Sequence, residues 1–301
     1  MEGTRYLIVN ADDFGIGPDT SKCILELASA GLITSAVLLV NSPHADEAVR
    51  RWRQVGRIVE LGWHPCLTLD KPLLPPGQVP SLVDKKGRFH RLGRFLRRLS
   101  TARIESSEME AELTAQHGRF QELVGKPPSV VNSHHHVQVF PPVSRVLLRI
   151  LGRQKPLPYV RRIQEPSRMI AKISGARAKR LFLSYFGAGD AARQRRLGFP
   201  GNDWLMGITN PPCVARPSFL TRWIAKVPGK VVELTCHPGH WDPTLIDRDC
   251  KTGDGQLLRR VQEMHLLRDH RFREAVREAG FVMVSPSALA DQKLQGQIDA
   301  A

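Results

Sequence analysis

The sequence is poor in cysteine and aromatic residues and lacks the segments that mark several common classes of protein. Its five cysteines are odd in number and scattered, with no C-x-x-C pair, which argues against a disulfide framework and a structural zinc site. No apolar run is long enough to span a bilayer, and the amino-terminal segment shows no charged-then-apolar signal pattern. We therefore expect a soluble, cytoplasmic protein with reduced thiols.

The length and composition fit one catalytic domain. With 301 residues, 42% of them hydrophobic, the chain can bury a full core. No internal repeat or low-complexity stretch divides it. We expect a single domain over residues 1–290 and a flexible tail over residues 291–301.

Basic residues outnumber acidic ones, with 44 Lys and Arg against 29 Asp and Glu and a net charge of +15. The excess is concentrated at residues 88–103 and 145–196, so a patchy basic surface is expected. Aromatic residues make up only 6%, and neither an RNA-stacking motif nor zinc-finger spacing occurs, so we expect no nucleic-acid partner. The same charge suits an anionic substrate or peripheral contact with an anionic membrane, and a homodimer is compatible with the sequence.

Apolar β-type runs alternate with segments of helical periodicity along the chain. Strands are predicted at residues 5–10, 34–40, 58–63, 130–131, 159–161, 230–235 and 281–284, and helices at 18–30, 45–52, 105–124, 143–151, 169–186, 220–227 and 257–279. Residues 69–90 carry several prolines without a period and are predicted to form a long loop that walls a substrate groove. Repeated strand–helix units without a G-x-G-x-x-G fingerprint predict an α/β fold, specifically an irregular single-domain (β/α) barrel, closed or nearly so.

Three segments place an ionisable side chain directly after a predicted strand. Asp12 and Asp13 follow the first strand, His64 follows the third, and His134 follows residues 130–131. Active sites of α/β sheets and barrels lie at this edge of the sheet. Two imidazoles and one carboxylate form a typical metal-ligand set that leaves positions open for water and substrate. A metal held there would lower the pKa of a bound water and polarise a carbonyl oxygen, as amide hydrolysis requires.

The two aspartates are not expected to serve the same purpose. Neighbouring residues of a strand point to opposite sides, so one carboxylate can bind metal while the other moves protons. The alternative is that Asp12 and Asp13 only cap the turn that follows the strand. His64 alone would more often be a packed residue, and it is the third strand end, at His134, that favours a metal site.

The triplet at residues 134–136 cannot supply three ligands if its backbone is extended. Alternation would send His134 and His136 to one face, and His135 to the other, towards solvent or a neighbouring helix. His136 is then a candidate for metal binding, for support of His134 or for contact with substrate.

Two later strand ends supply further candidates. His237, followed by Pro238 and Gly239, is a candidate general acid for a leaving amine, because imidazole titrates near working pH. The alternative is that Pro238 and Gly239 form a turn in which His237 has only a structural role. Arg161 could pair with a site carboxylate, although an exposed basic face explains it nearly as well.

Four ordered motifs resemble those of the YdjC-like carbohydrate deacetylases. They are N-A-D-D-F-G from Asn10, G-x-H-x-x-L-T from Gly62, S-H-x-H-V from Ser133 before a Phe-Pro, and C-H-P from Cys236. The resemblance covers nearly the whole chain, and the group includes chitooligosaccharide deacetylases and the deacetylase associated with hopanoid biosynthesis. It implies a barrel related to polysaccharide deacetylases that removes N-acetyl groups from an acetylated amino sugar, either an oligosaccharide or a lipid-linked glycan.

The resemblance also implies roles for individual residues around one divalent metal ion. Zinc or magnesium would be favoured, with nickel or cobalt as alternatives. The implied metal ligands are Asp13, His64 and His134. The implied general base, general acid and orienting residue are Asp12, His237 and Arg161.

Two positions depart from the common pattern of that family. Asn132 stands where an aspartate usually precedes Ser-His, and Gln138 stands where a further histidine often follows Val. Neither is an implied metal ligand. The departures therefore bear on ligand orientation and substrate preference more than on the reaction.

Two other functions are compatible with parts of the sequence. A non-haem iron oxygenase uses the same two-histidine, one-carboxylate set, but it usually has an all-β scaffold and no evident need for Asp12 and His237. A basic nucleic-acid or membrane-surface binding protein on a degenerate barrel would explain the charge without any hydrolysis.

Overall fold

A parallel, curled β-sheet forms the centre of the computed structural model, which describes residues 4–289; the tail expected at residues 291–301 lies outside this range. The strands run in the order β5-β4-β3-β2-β1-β7-β6, and β8 pairs with the first residues of β1. They are β1 (Arg5–Phe14), β2 (Ser35–Leu38), β3 (Glu60–Trp63), β4 (Val130–Val131), β5 (Tyr159–Val160), β6 (Trp204–Met206), β7 (Val231–Cys236) and β8 (Phe281–Met283). The predicted α/β fold is confirmed, and the sequence did not indicate β6.

The two ends of the sheet approach each other without forming a regular ladder in the described residues. The amide of Val160 donates to the carbonyl of Pro200 at 2.9 Å, and the amide of Leu205 donates to the carbonyl of Gln164 at 2.9 Å. These bonds bridge β5 and the segment around β6. The barrel is therefore irregular, as predicted, and its curled sheet is joined at this seam by isolated hydrogen bonds.

Helices follow most of the strands and cover the outside of the sheet. They are α1 (Pro18–Ser29), α2 (Ala45–Gln54), α3 (Leu92–Ser100), α4 (Ser106–Val124), α5 (Pro141–Leu151), α6 (Ser167–Lys172), α7 (Arg177–Arg196), α8 (Pro211–Val214), α9 (Phe219–Ile224), α10 (Gln256–Arg268) and α11 (His270–Glu278). Short 3-10 turns occupy Pro76–Gln78, His134–Val139 and Pro243–Leu245. None of the helices within residues 4–289 combines the length and apolarity needed to cross a bilayer.

Two predicted helices are each divided in the structure. The single helix predicted over residues 257–279 is wrong, because Asp269 leaves the helical conformation and its side chain caps α11 by accepting from the amide of Arg271 at 3.0 Å. The helix predicted over residues 169–186 is wrong in the same way. Gly175, with φ of 115°, separates α6 from α7, and α7 extends to Arg196.

The two faces of β1 explain how the core and the site share one strand. Leu7, Val9 and Ala11 belong to the large cluster that includes the helices, whereas Ile8 packs with Val37 and other strand residues inside the curl. Because strand side chains alternate, Asn10 and Asp12 continue the inner face that Ile8 begins. The interior is thus apolar at one end of the strands and polar at the other.

The long loop predicted at residues 69–90 is largely irregular, as expected. It contains one 3-10 turn and an isolated bridge between Val83 and Phe89. The buried carboxylate of Glu112 on α4 accepts from the amides of Leu73 and Leu74, both at 3.0 Å. No residue of the loop lines the main cleft described below, but five of them line a second, smaller pocket together with Asp247 and Arg248, and the role of the loop as a groove wall stays a prediction.

Candidate active site

One cleft of about 330 Å³ collects the side chains that follow the parallel strands. Because the carboxyl ends of parallel strands meet at one edge, residues far apart in sequence are adjacent there. Five of the predicted residues line this cleft directly, namely Asp12, Asp13, His64, His134 and His237. His135 and His136 line it as well. Arg161 lies beneath it, in contact with Asp12.

The three expected metal ligands converge on one carboxylate oxygen. Oδ1 of Asp13 lies 3.4 Å from Nε2 of His64 and 3.0 Å from Nδ1 of His134. The other ring nitrogen of His64, Nδ1, lies 2.8 Å from the carbonyl oxygen of Asn132. A carbonyl accepts only from N–H, so His64 carries its proton on Nδ1 and presents the lone pair of Nε2 to the cleft.

The donor set fits a divalent ion. Ligand atoms about 2.0–2.1 Å from a tetrahedral ion lie about 3.3 Å apart, close to the two distances from Asp13. Nε2 of His64, the nitrogen that lies 3.4 Å from Asp13, is buried and has no hydrogen-bond partner in the described part of the chain. Unpartnered buried nitrogens are costly, so a positive ion offers them a compensating interaction. Two imidazoles and a carboxylate suit zinc and also accept other divalent ions.

Two further charged residues surround Asp13. Arg260 on α10 donates from Nη2 to Oδ2 of Asp13 at 2.7 Å and to Oδ2 of Asp249 at 3.0 Å. Burial alone would raise the pKa of Asp13, but Arg260 and His134 outweigh it and hold the pKa well below its usual range. Asp13 is therefore ionised, as a metal ligand must be.

Asp12 belongs to a different network, which is fully buried. Arg161 donates to both of its carboxylate oxygens at 2.7 Å and to Oε1 of Glu233 at 2.6 Å. Asn10 and Thr235 donate to Asp12 at 2.8 and 3.0 Å. Burial would raise the pKa of Asp12, but the charge and hydrogen bonds of Arg161 reverse this and hold it below its usual range. The exposed basic face considered for Arg161 is wrong, because its side chain is 0% exposed.

His237 lies between Asp12 and a pair of charged residues on α10. Its Nε2 is 3.7 Å from Oδ2 of Asp12, and its Nδ1 is 3.2 Å from Nη2 of Arg259. Its amide donates to Glu263 at 2.5 Å, and Glu263 also accepts from Arg259. Arg259 has only donors to offer, so Nδ1 is the acceptor and Nε2 carries the proton. Burial, together with the charge of Arg259, lowers the pKa of His237 to about 4.

The alternating arrangement predicted for the histidine triplet is wrong. The segment is a 3-10 turn in which His135 and His136 take left-handed backbone angles, with φ of 55° and 59°. All three rings therefore line the cleft. Nδ1 of His135 lies 2.9 Å from the hydroxyl of Thr68, and His136 is 6% exposed with a buried, unpartnered Nδ1 among the described residues.

The two departures from the family pattern lie next to these residues. Oε1 of Gln138 accepts from the amide and hydroxyl of Ser133, and its Nε2 donates to the carbonyl of Arg161 at 3.1 Å. Gln138 thus ties the histidine turn to the arginine segment. Asn132 provides the carbonyl that orients His64, while its own buried amide group has no partner in residues 4–289.

The sequence analysis missed the site residues that do not lie at the ends of predicted strands. Arg259, Arg260 and Glu263 lie on α10, and Asp249 lies on the loop before it. Their positions depend on which face of the helix meets the cleft, and no motif revealed this. Glu233 could have been found, because a carboxylate in the middle of an apolar parallel strand calls for a buried partner.

The fold and the cleft define a parallel α/β protein with a candidate metal site at the carboxyl edge of its sheet. The chain belongs to the YdjC-like protein family, whose model matches residues 6–278. The family predicted from the four motifs is thereby confirmed.

Curated relatives and a solved structure match almost the whole chain. A carbohydrate deacetylase of Geobacillus stearothermophilus is 29% identical over 287 residues, covering 93% of this chain and 96% of the relative. A chitooligosaccharide deacetylase of Serratia marcescens is 29% identical over 288 residues, covering 93% and 98%. A crystal structure from Enterococcus faecalis V583, of a protein that has been proposed to cleave cellobiose phosphate, matches with a TM-score of 0.74 and 25% identity, covering 95% of this chain and 99% of that one.

Proposed function

We propose that this protein is a metal-dependent carbohydrate N-deacetylase. It hydrolyses the amide of an acetylated amino sugar and releases acetate and a free amine. The observation that carries the proposal is the convergence of Asp13, His64 and His134 on one cleft, with Asp12 and His237 beside them. The names of the two curated relatives, a carbohydrate deacetylase and a chitooligosaccharide deacetylase, support a carbohydrate substrate, and we propose an acetylated oligosaccharide or a lipid-linked glycan.

Asp13, His64 and His134 would hold one divalent ion, with zinc or magnesium favoured and nickel or cobalt as alternatives. The bound ion would supply Lewis acidity, acidifying a water and polarising the acetyl oxygen. Arg260 and Asn132 support the ligands, since one holds Asp13 in place and the other fixes the tautomer of His64.

Asp12 acts as the general base that takes a proton from the attacking water. Its low pKa keeps it ionised across the neutral range, and the two-pronged contact with Arg161 fixes the orientation of its carboxylate. Arg161 is thus a positioning residue. The hydroxide left by the water forms the new bond to the acetyl carbon, and the carbon–nitrogen bond breaks.

His237 acts as the general acid for the departing nitrogen. In its cationic form, with a proton on each ring nitrogen, it gives the Nε2 proton to the sugar amine and becomes neutral, and the proton that Asp12, 3.7 Å away, took from the water restores the cation. One water is thereby divided between acetate and the amine. Arg259 favours the proton-poor form of His237, which makes it a stronger donor whenever it is protonated.

His136 is proposed to contact the substrate, because it lines the cleft and its buried Nδ1 has no partner in the described residues. The proposed hydrolysis uses Asp12 and His237 in addition to the metal ligands. A non-haem iron oxygenase with the same ligands would not need these two residues, so we favour hydrolysis. A cytoplasmic location and a possible homodimer remain predictions from the sequence.

The proposal is tested by acetate release from N-acetylglucosamine oligomers and from a lipid-linked N-acetyl amino sugar, with added divalent ion. Asp12→Asn should reduce the rate by about a hundredfold or more, because a general base is lost. His134→Ala should reduce both the rate and the amount of zinc retained after dialysis. Asp46→Asn and His270→Ala are matched controls, since both residues are highly exposed and neither lines the cleft. Undiminished acetate release by Asp12→Asn, or full zinc retention by His134→Ala, would refute these roles.

A further inference from the structure

The outer face of α7 carries large apolar side chains where solvent contact would favour polar ones. Leu181, Phe182 and Tyr185 are 55%, 48% and 79% exposed. At 100° per residue they lie on one side of the helix, opposite the buried Leu183 and Asp190. From residue 181 to residue 192 the helix holds a single charged residue, Asp190, and that one is buried. Contiguous exposed apolar surface of this kind marks an interaction site.

An aromatic layer supports this face from beneath. The ring of Phe182 lies 6.0 Å from that of Phe140 and 5.0 Å from that of Phe186. The ring of Tyr185 packs edge-on to Phe186 at 5.3 Å. Packed neighbouring rings therefore hold the exposed rings of Phe182 and Tyr185 in place.

The apolar face is surrounded by uncompensated positive charge. Residues 141–196 contain 14 Lys and Arg but only two acids, Glu165 and Asp190. Both acids are buried, and they bind Arg180 and Ser144 inside the fold. The segment therefore has a net charge of +12, most of the +15 of the whole chain. Exposed cations lie at both ends of α7, namely Arg177 at its start and Arg195 and Arg196 at its end, and the preceding helix α6 carries two more, Arg168 and Lys172.

We propose that this surface of α7 docks the protein on an anionic membrane. Leucine and aromatic side chains between flanking cations are the composition of helices that lie in the lipid interface. The cations attract the anionic headgroups, and the apolar side chains enter the boundary with the acyl chains. A second copy of the chain fits the face less well, because two surfaces of like charge would repel each other. Nucleic acid fits less well, because Phe182 and Tyr185 offer rings for stacking but residues 181–192 place no cation on the face to follow a phosphate backbone.

The docked helix would also bring the cleft close to the membrane. Lys179, less than one turn before Leu181, lines the cleft, and α7 contacts the histidine turn at residues 134–139. The surface and the candidate active site therefore share one helix. The docking proposal does not depend on the proposed reaction, since it can be measured without a substrate.

The test is sedimentation of the full chain with phosphatidylcholine vesicles, with and without about one-third phosphatidylglycerol. We expect binding only to the anionic vesicles. Leu181→Ser combined with Tyr185→Ser should weaken it by about tenfold or more, because apolar burial is lost. Arg195→Gln combined with Arg196→Gln should weaken it by about tenfold or more at low salt, since each cation near the surface contributes about fivefold.

Matched controls remove similar groups elsewhere. Val55→Ser with Ile58→Ser removes side chains that are 41% and 42% exposed, and Lys85→Gln with Lys86→Gln removes two exposed cations of the long loop. Both controls should bind like the wild type, and circular dichroism and thermal midpoints should verify that every variant is folded.

Three results would overturn the proposal. If the Leu181 and Tyr185 substitutions left vesicle binding unchanged, the binding would be due to general charge attraction and not to the apolar face of α7. A dimer that dissociates on those changes, without vesicle binding by the wild type, would assign the face to self-association. Tighter binding to duplex DNA than to anionic vesicles would assign the surface to nucleic acid.

Discussion

Replacing Arg161 with methionine should destabilise the protein far more than the loss of an ordinary ion pair. The guanidinium is 0% exposed and joins two buried carboxylates, Asp12 and Glu233, through three hydrogen bonds of 2.6–2.7 Å. Methionine fills much of the volume but leaves both carboxylates without their cation. Breaking a buried pair by removing one partner costs about 3–5 kcal/mol. That is a large part of the roughly 5–15 kcal/mol by which a typical domain is stable.

The stability of the variant should also depend on pH more steeply than that of the wild type, in which burial already raises the pKa of Glu233. In the wild type the pKa of Asp12 is lowered on folding, so its contribution is complete above the unfolded value and changes little between about pH 5 and pH 8. Without Arg161, burial dominates and raises the pKa of Asp12, and it raises that of Glu233 further. The folded variant then holds protons that the unfolded chain releases. Its stability should therefore be greatest at low pH and should fall as the pH rises through the raised pKa values.

Urea denaturation at several pH values, with a chelator present so that all samples are metal-free, measures both effects. Adding Glu233→Gln to Arg161→Met should recover part of the loss, because one buried charge is removed, and the double-mutant cycle gives the coupling energy. A loss below about 1 kcal/mol, as for an exposed pair, would contradict the reasoning. So would a variant whose stability is flat across the same pH range.

Two further predictions concern the parts of the fold around the site. Glu112→Ala should lower the free energy of unfolding by about 1–3 kcal/mol and expose the long loop to proteases, because the amides of Leu73 and Leu74 lose their buried acceptor. The control is Glu105→Ala, which changes an exposed residue of the same region. Equal rates of digestion for the two variants would contradict the prediction. Asp269→Ala should cost about 0.5–2 kcal/mol in thermal denaturation by removing the cap of α11, whereas Asp269→Asn, which keeps a capping oxygen, should cost clearly less.

The three residues predicted as metal ligands lie together in the structure because their positions depend on topology alone. A residue that directly follows a parallel strand must lie at the carboxyl edge, so Asp13, His64 and His134 could be brought together without knowledge of any helix. The same alternation of strand side chains predicted that Asp12 and Asp13 would have different partners, and they contact Arg161 and Arg260 respectively. The structure adds that Asp13 has left-handed angles, with φ of 65°, which turn it away from Asp12 towards the histidines.

The parts that sequence could not predict depend on packing. Alternation failed for His135 and His136, because it assumes an extended chain and these residues form a turn. Arg259 and Arg260 are adjacent on α10, and only the rotation of that helix against the sheet sends one to His237 and the other to Asp13. Local spacing contains no information about that rotation.

Three non-glycine residues at the mouth of the cleft, Asp13, His135 and His136, adopt backbone angles that side chains ordinarily avoid. Each such residue lowers the stability of the folded state by on the order of 1–3 kcal/mol, which favourable contacts elsewhere in the molecule must offset. Attempts to raise the thermal stability of the protein by relaxing strained positions would select these three residues, and they are the ones to leave unchanged. Substitutions that raise thermal stability should be sought at the opposite edge of the sheet, where a change in backbone geometry does not disturb the cleft.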